Sequence, residues 1–82
     1  MRRRRPAEYR RALDLEAARI RRRDAVDWLA DAATHLAAVR AHAHVDAVEL
    51  VVAESRVDTA RRRFWAADAE LRALQPAESR SA

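Results

Sequence analysis

Apolar residues recur at alternating spacings of three and four through most of this chain, and that register admits very few folds. In the second half the seam runs Leu50, Ala53, Val57, Ala60, Phe64, Ala67, Leu71 and Leu74; in the first half it runs Leu15, Ala18, Arg22, Ala25, Leu29, Ala32, Leu36, Val39 and Ala43. A three-four alternation keeps one face of an α-helix apolar over many turns. The two seams share one register, so the pattern alone describes a single long helix in a parallel coiled coil. Only Pro6 and Pro76 interrupt a chain with no glycine, leaving 69 residues between them without a helix breaker. The fold class is therefore all-α.

Arg40-Ala-His-Ala-His-Val-Asp46 breaks the rod. Asp46 would be an acid in the core of a continuous coil, whereas as an N-cap its carboxylate serves the free N–H groups of a new helix. Glu49 stands where a capping-box acid would be, and Val45 and Leu50 where a hydrophobic staple would be. The expected architecture is an antiparallel two-helix hairpin, coiled-coil-like with an Ala-rich seam and completed as a four-helix bundle by oligomerisation. Its parts are a disordered basic arm over 1–6, helices over about 7–41 and 47–75, a turn over about 42–46, and a disordered tail over 77–82. Pro76 ends the second helix, and Asp24 is a candidate for a local cap or kink in the first.

The hairpin carries a numerical test. Facing seam residues in an antiparallel pair have numbers with a constant total, and 89 pairs Leu15 with Leu74, Ala18 with Leu71, Ala25 with Phe64, Leu29 with Ala60, Ala32 with Val57, Leu36 with Ala53 and Val39 with Leu50. Nearly every layer sets a large side chain against a small one, as close packing requires. Flanking charges follow the same rule: Arg19 near Asp68, Arg21 to Arg23 near Asp68 and Glu70, Asp24 and Asp27 near Arg61 to Arg63, Asp31 near Arg56, Arg40 near Glu49, with Trp28 approaching Arg63.

Function is read from what the seam leaves over. Of 82 residues 21 are alanine and four aromatic, so the chain has few large side chains with which to build a core. Tyr9, Leu13, Ile20, Val26, Trp28, Val48, Val51, Val52 and Trp65 lie off the seam, where a lone hairpin cannot cover them. Leu13, Ile20, Trp28, Val48, Val51, Val52 and Trp65 are the candidate partner-binding residues, the partner being a second copy in a dimer, another protein, or both.

Two other chemistries compete. All 17 basic residues are Arg, and residues 1–23 hold ten of them against three acids. Arg2, Arg3, Arg4, Arg5, Arg10 and Arg11 are candidates for phosphate contact with nucleic acid, although no Asn accompanies them for base reading. His35, His42, Asp46 and Glu49 fall along one side of an ideal continuous helix and are candidate metal ligands, a row that a turn at 42–46 would break. Without cysteine or glycine there is neither a thiolate nor a phosphate-binding glycine loop. Thr34 adjoins His35 in sequence, but adjacent helix residues diverge in direction. The expectation is a non-enzymatic protein without a cofactor, not embedded in a membrane, and cytoplasmic.

Overall fold

A computed structural model describes residues 6–75 of the chain. The arm Arg2 to Arg5, Pro76 and the tail over 77–82 lie outside the described residues. Two helices pack against each other: α1, Pro6–Ala41, and α2, Ala47–Leu74. Among the described residues there is no strand. Pro6 opens α1, where its fixed φ suits the helix and its missing N–H would have had no intrahelical partner. α1 runs unbroken through Asp24, so that residue does not cap a new helix.

The turn is made without glycine, and none of the described residues takes a positive φ. The last turn of α1 tightens where the His42 N–H donates to the Val39 carbonyl at 3.3 Å. Ala43, which periodicity alone would add to the seam, lies in the turn and is exposed. Asp46 then caps α2. Its backbone is extended (φ −76°, ψ 123°), and its carboxylate accepts from Val48 N–H at 2.8 Å and Glu49 N–H at 3.3 Å. Its own carbonyl accepts the first intrahelical bond, from Leu50 N–H at 2.9 Å. At the other end Gln75 is also extended (φ −72°, ψ 146°), the conformation a residue ahead of proline prefers.

Among the described residues, every buried one is a seam residue. Ala18, Ala53 and Ala60 have no exposure at all, while Ala25, Ala32, Leu36, Val39, Val57 and Ala67 keep less than a tenth. Ala32, Leu36, Val39, Ala53, Val57 and Ala60 form one contiguous core, with Leu29 and Leu50 packed against it. Those eight residues are the members of the four expected layers nearest the turn, Leu29/Ala60, Ala32/Val57, Leu36/Ala53 and Val39/Leu50. Towards the open end packing thins, because Arg22 takes a seam position and Leu15, Phe64, Leu71 and Leu74 are only partly buried. With 36 residues in α1 and 28 in α2, the first turns of α1 run past the described end of α2, and all residues from Pro6 to Asp14 are exposed.

Cross-helix contacts fix the antiparallel orientation. Arg22 Nε donates to Asp68 Oδ1 at 2.9 Å, Arg21 pairs with Glu70, and Arg40 reaches Glu54 at 3.3 Å near the turn. Several expected pairings differ. Arg40 meets Glu54 rather than Glu49, and Arg19 pairs within its own helix with Glu16 at 3.6 Å rather than with Asp68. Arg62 likewise turns back along α2 to Asp58 at 2.6 Å. Among the described residues no ion pair forms at Asp24, Asp27, Asp31 or Arg56.

Candidate interaction surface

Placement of the off-seam residues follows from helix geometry. The seam takes the face of each helix that looks at its neighbour, so residues halfway between seam positions look away. Leu13 and Ile20, seven apart, stand on the outer face of α1 at 51% and 53% exposure, with Tyr9 one turn before Leu13. Val48, Val51 and Val52, at spacings of three and one, make a compact patch on the outer face of α2 just beyond the cap; Val48 is 72% exposed. The two patches therefore sit on different helices and at opposite ends of the hairpin. Val26 and Trp65 are also exposed, and Val45, the expected staple residue, is 43% exposed.

Trp28 behaves differently from the rest. The Arg63 guanidinium lies 4.0 Å from its ring centroid, so the indole is partly screened by a cation from the other helix. Beside this stack runs an open groove of about 360 Å³, walled by Arg21, Asp24, Trp28, Arg63 and Glu70 and floored by Ala25, Ala66 and Ala67. The groove was not legible as such in the sequence. Its signal is the small pair Ala25 and Ala67 in adjoining layers beside a large aromatic, which leaves room above the seam.

The electrostatics around the open end are set by paired charges. The Arg22 hydrogen bond, with help from Arg72 at 3.1 Å, holds the Asp68 carboxyl below its ordinary range. The Glu70 hydrogen bond raises Arg21 above the ordinary arginine value. Arg22 also lies over the Phe64 ring, 5.3 Å from its centroid.

The remaining candidates are not gathered into sites. His35 is on α1, His42 in the turn, Asp46 at the cap of α2 and Glu49 in its first turn; the ends of two helices separate the row that one continuous helix would have made. No group of three or more His, Cys, Asp or Glu side chains among the described residues is arranged to hold a metal ion. Arg10 and Arg11 are exposed on the first turns of α1, and neither makes an ion pair with another described residue; Arg2, Arg3, Arg4 and Arg5 lie outside the described residues. No helix among the described residues is long and apolar enough to cross a membrane. No protein-family model, curated protein or solved structure matches the chain at a significant level.

Proposed function

We propose that the chain is a non-enzymatic helical-hairpin interaction protein, working in the cytoplasm as an adaptor, chaperone or assembly subunit. In this reading the outer faces of α1 and α2 pack on further helices, completing a four-helix bundle. The observation that supports it is an imbalance between core and surface. Among the described residues nine are buried and six of these are alanine, whereas ten large apolar side chains remain between 38% and 72% exposed. A core that small leaves a domain of this size marginal on its own. Covering half-exposed Leu, Ile and Val side chains contributes about 1 kcal/mol apiece, which offsets part of the entropy cost of association.

Substitution on the α2 patch tests the reading. Val48→Asp and Val52→Asp place a charge on a surface that is exposed in the hairpin and covered in the complex. Both variants should give a lower mass by light scattering and a lower melting temperature. Mass and melting curve both unchanged would contradict it.

A second reading has a specific observation behind it. Arg10 and Arg11 are exposed near the start of α1, where no described residue of α2 stands opposite, and four residues separate them from the arginines at positions 2–5. Such a cluster suits electrostatic contact with nucleic-acid phosphates. It calls for a mobility shift that weakens steeply with salt and disappears when residues 1–5 are removed. No shift at low salt would end it.

A further inference from the structure

The first four turns of α1 carry an apolar stripe that faces away from α2. Tyr9, Leu13 and Ile20, at spacings of four and seven, lie on the side of the helix opposite the seam, each about half exposed. Pro6 joins the stripe three residues before Tyr9, so that it extends about 21 Å along the helix axis. Beyond Ile20 the same face changes character. Asp24, Asp27 and Asp31 follow at spacings of four, three and four, and the stripe ends in acids.

Arginine surrounds the stripe. Residues 1–23 carry ten Arg against three acids, net +7, and Arg2 to Arg5 directly precede Pro6 in the sequence. Arg10 and Arg23, on either flank of the stripe, make no ion pair with another described residue, and neither does Arg11. Arg10 shares a shallow hollow of about 320 Å³ with Pro6, Tyr9, Leu13 and Asp14, so a guanidinium stands directly beside the apolar side chains. The charge constrains what can cover this face. A second copy brought stripe to stripe would set +7 against +7. Nucleic-acid phosphates would take the arginines but give Tyr9, Leu13 and Ile20 no apolar phase to enter. An anionic bilayer surface meets both needs, with phosphates outermost and hydrocarbon directly beneath them.

We propose that the Pro6 to Ile20 stretch of α1 docks in the plane of an anionic lipid surface, with Tyr9, Leu13 and Ile20 turned into the acyl boundary and the arginines among the headgroup phosphates. The helix lies on the bilayer and does not cross it. Asp24, Asp27 and Asp31 limit the contact. They belong to the half next to the turn, residues 24–60, where two Arg stand against seven acids, net −5, and the same surface repels that half. The inference goes beyond the interaction reading, since it gives the first four turns of α1 an occupant other than a helix. Val48, Val51 and Val52, on the outer face of α2, are left to the bundle.

Co-sedimentation of the intact protein with lipid vesicles tests this at 50 mM and 500 mM salt. One set of vesicles is phosphatidylcholine alone, the other contains about 30% phosphatidylglycerol, and a short DNA duplex is titrated in parallel. Leu13→Gln/Ile20→Gln removes the apolar anchor and keeps every charge, while Arg10→Gln/Arg11→Gln does the reverse. All four positions are exposed and outside the buried seam, so helix content by circular dichroism should not change. At low salt the anionic vesicles should be bound at least tenfold more tightly than the neutral ones, with the preference falling at high salt. Each double variant should lose at least fivefold of that binding. No binding to anionic vesicles at 50 mM salt overturns the proposal. So does vesicle binding that Leu13→Gln/Ile20→Gln leaves unchanged, because the arginines would then be meeting polyanions in general, the duplex included. Neither result bears on the interaction reading, whose test is the mass of the Val48→Asp and Val52→Asp variants.

Discussion

Arg22 and Asp68 meet across the helix interface at 2.9 Å, and Asp68 keeps only 21% of its side chain exposed. Arg22 occupies a seam position, where a charge would ordinarily weaken the core. Its stem follows the seam while the guanidinium reaches out over Phe64 to a carboxylate at the rim. Arg72, one turn beyond Asp68, supplies a second cation at 3.1 Å. The layer therefore exchanges apolar burial for a charged clamp near the open end of the hairpin.

That clamp is pH-dependent in a definite direction. Asp68 has a depressed folded-state pKa, so its contribution is fully present above the unfolded carboxylate value, about 3.9, and is lost as pH falls through the lower folded value. Asp68→Asn should melt below the wild type at pH 7, and the gap should close as pH drops from about 4 to 2. A gap of constant size down to pH 2 would show that Asp68 acts through packing alone.

The α2 cap is the second point of leverage. Asp46 accepts two backbone N–H groups that otherwise have no intrahelical acceptor. Asp46→Ala should cost about 1 kcal/mol in chemical denaturation, while Asp46→Asn or Asp46→Ser should retain most of the stability. Equal losses in all three would contradict a capping role.

Alanine in the seam sets how closely the helices approach. Ala60 has no exposure and lies in the turn-side core against which Leu29 packs. Ala60→Leu should destabilise by about 1–3 kcal/mol through overpacking, whereas Ala66→Leu, on the groove floor and exposed, should cost far less. Thermal melts of the two variants make the comparison.

The Trp28–Arg63 stack gives a spectroscopic handle. In a Trp65→Phe background only Trp28 reports, and Arg63→Gln should shift its emission to the red as the ring gains solvent. The stability change should stay within about 0.5–1 kcal/mol, the range for a cation over an exposed ring. Unaltered emission would mean the guanidinium does not cover the indole in solution.

Much of this fold is legible in the sequence because helical burial obeys a simple period. Ala18, Ala53 and Ala60 are fully buried where the three-four spacing puts them, and Asp46 is recognisable from the chemistry of capping. Rim partners were harder to read. Side chains on a helix lean towards its N-terminus, and in an antiparallel pair both partners lean past each other. Contacting numbers then total more than the expected 89: 90 for Arg22 with Asp68, 91 for Arg21 with Glu70 and for Trp28 with Arg63, 94 for Arg40 with Glu54. Arg22 over Phe64, at 86, runs the other way. The outer surface, with Leu13, Ile20, Val48, Val51 and Val52, emerges by elimination. What covers it is not written in the periodicity, since a partner's surface leaves no register in this chain.

The most direct measurement of the central claim is the mass of the intact protein by sedimentation equilibrium, taken from about 1 to 100 μM. An interaction module that completes a four-helix bundle with a second copy should rise towards twice the chain mass of 9.4 kDa over that range. A mass that stays at 9.4 kDa at every concentration, with a cooperative melt, would contradict it.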